Sequence, residues 1–437
     1  MRSTTSHSHQ VTHAPQSISA LPSPSLLPTP ETILSTIQLH VTFAPGNHSL
    51  ESELIIESVY SFSMFSESAS SPNHAVIVCS LDGRFEIINV TIVTMSGFEF
   101  AGCGGNRVES VDLFQLKESR FHHGQPMVGS TALIVTETTA SLDRASFGIL
   151  SIVGNKQQMI SDGKSALSTP GRAIQSTSSS ITITQSWFEG NGGVMGGAIL
   201  SEHSSITIIN STFLRNCALA CGGALCALGS GSTVNICDSE FFNNHGSSVV
   251  HVVALGGKTT IDHSKFINNI ANNLKPMPHS ESVIVADSEF INDASAVVGI
   301  QSSTSVTVAR NELINNNAAL LVGIQNSTSV TVVHNEVINN NALVAVRKRN
   351  STSVAVAQNE FINNIVQLDI LQTIVTSLFQ ESCNKFTNNS ARYDVYISRI
   401  CKPGYSFSLG SSRCIECPDH WPRNLSTDTP QPRTPTI

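Results

Sequence analysis

The chain has 437 residues, a net charge of −8 and only 13% charged residues, about half the roughly 25% usual in soluble proteins. That balance, with no basic patch carrying interleaved aromatics, argues against nucleic acid as a partner. No apolar run approaches the ~18 residues of a transmembrane segment, and no basic stretch followed by an apolar one marks a signal peptide.

Residues 1–40 are rich in Ser, Thr, Pro and His and bury too little apolar surface to order themselves, so a disordered tail is expected. His7, His9 and His13 within it read as polar linker rather than metal ligands. Residues 41–155 carry a worn repeat around Phe98, Phe121 and Phe147, with the β-branched run Ile87–Thr94 before the first. The next step, from Phe147 to Phe188, is 41 residues. Its excess is assigned to a polar insertion loop at 156–170.

From 171 to 395 the repeat is regular. An alternating run, as in Ile181–Thr184, Ile206–Ile209, Val306–Val308, Val330–Val333 or Val354–Val356, precedes an apolar anchor, and an Asn follows three residues later. The anchors are Phe188, Phe213, Phe241, Phe266, Phe290, Leu313, Val337, Phe361 and Phe386, spaced by 25, 28, 25, 24, 23, 24, 24 and 25 residues. Alternation of Val, Ile and Thr with polar residues marks half-buried strands. A fixed period in the twenties marks a solenoid, whose coils bury their apolar faces only against one another. The fold class expected is therefore all-β: a parallel β-helix of about 11–12 coils.

Stacked coils place equivalent residues about 4.8 Å apart. The anchors then form a core column. Asn191, Asn216, Asn244, Asn269, Asn316, Asn340, Asn364 and Asn389, with Asp293 at the same place, form a second column in which each amide donates to the next. These asparagines are also assigned the turns, since Asn tolerates left-handed backbone.

The chain ends, at 396–437, in a short Cys-rich stub with Cys401, Cys414 and Cys417. Disulfides, one of them joining Cys383, are the reading there. A zinc site with His420 is the rival, although the spacing does not suit a ribbon. The cluster Cys217, Cys221, Cys226 and Cys237 lies within two coils, where stacking could pair some of the thiols. Seven Asn-x-Ser/Thr sequons, at Asn47, Asn89, Asn210, Asn326, Asn350, Asn388 and Asn424, are candidate glycosylation sites. Asn326 and Asn350, one coil apart, are expected to face outward on one edge.

Two coils carry a further motif: Gly196-Gly197-Ala198-Ile199 and Gly222-Gly223-Ala224-Leu225, with a weaker third copy at Gly171–Ile174. With the Phe-x-x-Asn pattern, over roughly residues 75–395, this resembles the repeat of the chlamydial polymorphic membrane proteins and of related right-handed parallel β-helix proteins expanded in protists. The resemblance implies a right-handed coil, a cell-surface or secreted setting and adhesion. The stub similarly looks like the start of an extracellular Cys-rich module of the ephrin-receptor or epidermal-growth-factor-like kind. It departs from the bacterial pattern in lacking a C-terminal run of amphipathic barrel strands.

No catalytic residue, metal site or cofactor motif stands out. Glycoside hydrolysis needs paired carboxylates facing one groove, and the acids are scattered: Asp238, Asp262, Asp287, Glu240, Glu289, Glu312, Glu336 and Glu360. The glutamates recur just before the anchor and read as a solvated row, with a cation- or sugar-binding stripe as the competing reading. Arg347-Lys348-Arg349 and His122-His123 read as turn residues. The expectation is a non-enzymatic surface or secreted protein that binds a protein or glycan ligand. A polysaccharide lyase or hydrolase of the same fold and a structural coat protein are the alternatives. Three or more acidic and basic groups on one outer face would favour the enzyme.

Overall fold

A computed structural model describes residues 37–67, 75–80, 83–123, 131–149, 172–253, 256–276, 280–294, 298–366, 371–374, 378–382, 384–391, 405–408 and 413–416. The expected tail up to residue 36, the insertion loop and most of the stub, including Cys401, Cys417 and Asn424, lie outside these residues, as does Cys383 in the last regular coil. The first strand begins at Gln38, slightly ahead of the expected boundary.

The chain winds into parallel coils of three strands each. Two flat sheets of fourteen strands, here the first and second sheets, collect the first and second strand of every coil, and a third sheet closes the triangle. The alternation seen in the sequence becomes an inside and an outside. In Ser180–Thr184, Ile181 and Ile183 are buried while Thr182 points outward. The parallel register then stacks like on like, Ile181 beside Ile206 and Ile206 beside Val234.

The second sheet carries the anchors. Phe188 pairs with Phe213, and the series continues through Phe241, Phe266, Phe290, Leu313, Val337, Phe361 and, by backbone register, Phe386. Eight rings from Phe100 to Phe290 stack face to face with centroids 4.6–5.1 Å apart. Strand spacing sets that distance, and at that distance the rings fill the core with few voids. In the worn region the residue in register with Phe121 is Phe100, not Phe98, because the strand Phe98–Ala101 presents both rings inward and the second aligns. Phe147 pairs directly with Phe188, so the long step between them leaves the stack continuous.

The corners divide two jobs that the sequence reading gave to one residue. The left-handed turn belongs to the residue before the ladder Asn: Arg215, Asn243, Asn268, Asn292, Asn315, Asn339, Asn363 and Asn388 all have φ of 51–55°. The ladder Asn is instead drawn inside. At Asn216, Oδ1 accepts from the backbone N–H and the Nδ2 of Asn191, both at 3.0 Å, while its own Nδ2 donates to the Phe188 carbonyl and to Asn244 Oδ1. Every polar atom of the Asn216 amide is thereby used, as burial requires, while Asn191 Oδ1 at the start of the ladder has no hydrogen-bond partner among the described residues.

A second polar ladder runs at the corner between the first and second sheets. Ser186, Ser211, Ser239, Ser264 and Ser288 accept the N–H of the coil before, and Asn311, Asn335, Asn359 and Asn384 continue the line. At the repeat glycines, Gly196 and Gly222 have φ of +63° and +60°, and a Cβ on Gly197 would strike the Gly223 carbonyl. Only glycine fits corners stacked that closely.

Disulfides join Cys79 to Cys103, one coil apart, and Cys221 to Cys226 across the Gly222-Gly223 corner. Cys217 and Cys237 are free. Cys414 lies in a small antiparallel pair, Tyr405–Ser408 with Arg413–Glu416, that sits against the strand Leu378–Ser382. No helix among the described residues is long and apolar enough to cross a membrane.

Candidate functional site

The corner between the first and second sheets carries a row of polar and charged groups. Each coil gives it the left-handed residue that follows the first-sheet strand, and most coils also give the last residue of that strand, although Ala286 and Ala309 are buried. In chain order the left-handed residues are Glu118, Arg144, Gln185, Asn210, Asp238, His263, Asp287, Arg310, His334 and Gln358. A left-handed residue splays its side chain off the corner, and the ladder Ser or Asn behind it fixes the backbone. The edge is therefore a row of presented groups on a rigid rail.

An open cleft of about 590 Å³ lies on this edge, lined by Asp143, Thr184, Gln185, Ile209, Asn210 and Asp238. Thr184 donates to Asp143 at 2.9 Å, and Arg144 bridges Asp143 and Glu118 at 3.4 and 2.6 Å. The Cys237 thiol donates to Asp238 at 3.1 Å. That bond, then burial and the Asp238 charge, pushes its pKa up to about 11, which makes it a poor nucleophile.

Beyond the cleft the edge becomes a chain of ion pairs. His263 Nδ1 stands 3.1 Å from Asp262. Arg310 holds Asp287 in a two-pronged pair at 2.7 and 2.6 Å. The Arg310 hydrogen bond keeps Asp287 below the usual carboxylate range, while Asp262 raises His263 above the usual histidine value. Ligand atoms of Asp262, His263 and Asp287 lie within 4.8 Å of one another. However, these atoms already serve one another and Arg310, so a cation would have to displace existing pairs.

The glutamate row lies on the outer face of the second sheet. Glu240, Lys265, Glu289, Glu312, Glu336, Glu360 and Lys385 stand in register. Lys265 pairs with Glu289 at 2.9 Å, and Lys385 pairs with Glu360. Glu312 and Glu336 lie between, and both are raised above the usual carboxylate range by partial burial first and then by neighbouring glutamates.

Several expected placements differ. Arg347 and Arg349 belong to the strand Asn341–Arg349 rather than a turn, and His122-His123 end the strand Arg120–His123. In both cases the strand runs further past the corner than the apolar alternation suggested. The sequons Asn89, Asn210, Asn326, Asn350 and Asn388 are exposed left-handed corner residues, whereas Asn47 is exposed within a strand. No local motif marks the charged edge, because its members are 23–28 residues apart, and 41 apart between Arg144 and Gln185. The signal was nonetheless present: each stands three residues before an anchor.

A family model described as right handed beta helix region matches residues 197–366. Among curated proteins, none matches this chain. Solved structures similar to it include a mannuronic acid specific polysaccharide family 6 lyase from human gut microbiota, at 13% identity over 82% of this chain and 84% of that one, with a TM-score of 0.47. They also include PfbA, a surface adhesin of Streptococcus pneumoniae (13% identity, 80% and 83% coverage, TM-score 0.33), and an endo-xylogalacturonan hydrolase from Aspergillus tubingensis (10% identity, 74% and 87% coverage, TM-score 0.38). Strand register makes this chain an all-β parallel β-solenoid repeat protein, and its coils between residues 197 and 366 are similar to the right-handed β-helix family.

Proposed function

We infer that this is a non-enzymatic binding protein of the cell surface or secreted space, and that its charged edge holds an extended glycan. The observation that carries the reading is the cleft: Asp143, Thr184, Gln185, Asn210 and Asp238 offer hydrogen-bonding groups around Ile209, which is 36% exposed. Fixed polar groups around an apolar patch suit a sugar ring, and a straight edge suits a chain of them. The disulfides Cys79–Cys103 and Cys221–Cys226 support an oxidising compartment. Kinship with the polymorphic membrane protein repeat, resting on the Gly-Gly-Ala and Phe-x-x-Asn motifs, belongs to the same proposal.

A second reading, a polysaccharide lyase or hydrolase, is favoured by one observation. Asp238, Asp262, His263, Asp287 and Arg310 do gather acidic and basic groups on one face. Against it, Asp287 is already engaged by both prongs of Arg310 and His263 by Asp262, so these acids and bases face one another rather than a groove where a substrate could meet them.

The test is binding to a panel of immobilised acidic and neutral polysaccharides, with oligosaccharides of rising length as competitors. Affinity should rise with chain length, and Asp238→Asn should weaken it by about tenfold, the loss of one charged hydrogen bond. Release of unsaturated products or new reducing ends, abolished by the same substitution, would replace this reading with the enzymatic one. Length-independent binding unaffected by Asp238→Asn would remove the edge from the account.

A further inference from the structure

The outer face of the second sheet carries an apolar row. Each short strand of this sheet turns its middle residue inward, as in Glu336-Val337-Ile338, so the residues on either side point away from the core. In seven successive coils the last of the three is apolar. Leu214 and Phe242 open the row and five isoleucines, from Ile267 to Ile362, continue it, each in register with the next. All seven side chains are half-buried.

Strand geometry does not ask for isoleucine there. On the first sheet the outward residues at mid-strand include Thr182, Thr207, Thr260, Thr307 and Thr331. A contiguous apolar row on one outer face of a chain otherwise coated with Ser, Thr and Asn marks a surface that meets a partner.

The flanks of the row say which partner. On one side stand Glu240, Glu289, Glu312, Glu336 and Glu360, with Lys265 among them. On the other stand the exposed left-handed residues of the same coils, Asn243, Asn268, Asn292, Asn315, Asn339 and Asn363. Acceptors lie on one side, amide donors on the other, and apolar groups between them.

Such a face is complementary to itself. A two-fold axis parallel to the stack, lying over the apolar row, lays a second copy coil against coil. Apolar row then meets apolar row, and each glutamate comes opposite the asparagine of the same coil in the other copy. An antiparallel arrangement would set the glutamates from Glu289 to Glu360 against their own kind, which like charge disfavours. The same glutamates disfavour an anionic lipid surface. Seven coils at about 4.8 Å, with a band about 15 Å wide, give on the order of 500 Å² per partner, roughly 1,000 Å² in total and near the lower limit for a specific interface. A micromolar dimer is therefore expected rather than a permanent one.

We propose that this chain pairs in parallel with a second copy of itself through the outward row that runs from Leu214 to Ile362. The contact is separate from the charged edge and does not depend on what that edge binds.

Sedimentation velocity of the full chain over a micromolar concentration series should show a monomer–dimer equilibrium. Ile314→Lys sets like charges against each other across the axis and should weaken the dimer by more than about tenfold. Asn315→Asp places an acid opposite the other copy's Glu312 and should also weaken it. That position is exposed and Asp tolerates its left-handed backbone, so circular dichroism and unfolding should not change. Orientation is read from Ile291→Cys and Ile338→Cys, made singly. Each should crosslink on oxidation above the background of the unmodified chain, because in parallel pairing every coil faces its own counterpart. Antiparallel pairing would bring only one of the two onto its symmetry mate. A chain that stays monomeric through the series, a dimer that neither Ile314→Lys nor Asn315→Asp weakens, or crosslinking at fewer than both cysteines would overturn the proposal.

Discussion

The coils before and after Phe290 solve the same packing problem with different materials. From Phe100 to Phe290 the core column is a stack of phenylalanine rings, and from Ser186 to Ser288 the polar ladder beside it is serine. After Phe290 the column passes through Leu313 and Val337, where the ladder becomes Asn311 and Asn335, and the asparagine ladder continues as Asn359 beside Phe361. A ladder serine accepts one N–H from the coil before and returns its proton to a carbonyl two residues back, as Ser264 does to Asp262. A ladder asparagine spans coils in both directions. Asn335 accepts from Asn311 N and Nδ2 and donates to the Val308 carbonyl and to Asn359 Oδ1. Where the column gives up aromatic volume, the corner gains hydrogen bonds between coils. A solenoid can thus be held by apolar stacking or by amide ladders, provided each coil carries enough of one.

The largest effect that tests this comparison is removal of a ring. Phe266 is fully buried between the rings of Phe241 and Phe290. Phe266→Ala should destabilise the protein by about 3–5 kcal/mol, the usual cost of emptying an aromatic site, whereas Val337→Ala should cost about 1–3 kcal/mol because less volume is lost. Denaturant unfolding measures both, and equal losses would mean that the rings add nothing over smaller apolar groups.

The amide ladder comes next. Asn335→Ala leaves the N–H and Nδ2 of Asn311 without their acceptor inside the stack, at a cost of about 2–4 kcal/mol. Ser264→Ala, in the aromatic half, removes one weaker acceptor and should cost about 1 kcal/mol. A Ser264→Ala loss as large as that of Asn335→Ala would erase the distinction between the two halves.

Much of this architecture was legible because a solenoid writes its contacts at a fixed period. Phe213, Phe241 and Phe266 are buried at the same place in successive coils, and the alternation of Ile181–Thr184 gives the facing of its strand. The serine ladder was hidden by commonness: Ser186, Ser211 and Ser239 are three serines in a Ser-rich chain, and only register shows that all three are buried. The split between turn and ladder was hidden for a related reason. Asn243-Asn244 and Asn268-Asn269 are identical pairs in which the first residue turns and the second is interior.

The same grammar changes what the sequons mean. At the corner entering the first sheet the fold requires a left-handed residue, then a buried serine, then the residue just before the strand. Ser302-Ser303-Thr304, Asn326-Ser327-Thr328 and Asn350-Ser351-Thr352 fill those places. An Asn-Ser-Thr triplet there satisfies backbone geometry whether or not a sugar is ever attached. The candidate edge was illegible in yet another way, since Asp143 and Asp238 line one cleft only because Thr184 and Ile209 lie in register between them. Sequence shows that such residues recur, but a site depends on which coil lies beside which.

The smallest predicted effect concerns the outer face of the amide-ladder half, where four successive coils present Glu289, Glu312, Glu336 and Glu360. Lysines bracket the row at Lys265 and Lys385, so repulsion concentrates on the two middle acids, and Glu336 is raised by partial burial and by both glutamate neighbours. A carboxyl raised on folding stabilises least when ionised. Its contribution is full below the unfolded value of about 4.3 and declines as pH rises towards the folded one. Glu336→Gln should therefore match the unmodified chain near pH 4 and exceed it at pH 7. Because the side chain is only partly buried and its charge is screened by solvent, the gain should be only a few tenths of a kcal/mol and should shrink with added salt. Parallel urea titrations at the two pH values and at low and high salt would show it. A gain that grows on acidification, or survives high salt unchanged, would mean that coil packing rather than charge governs this face.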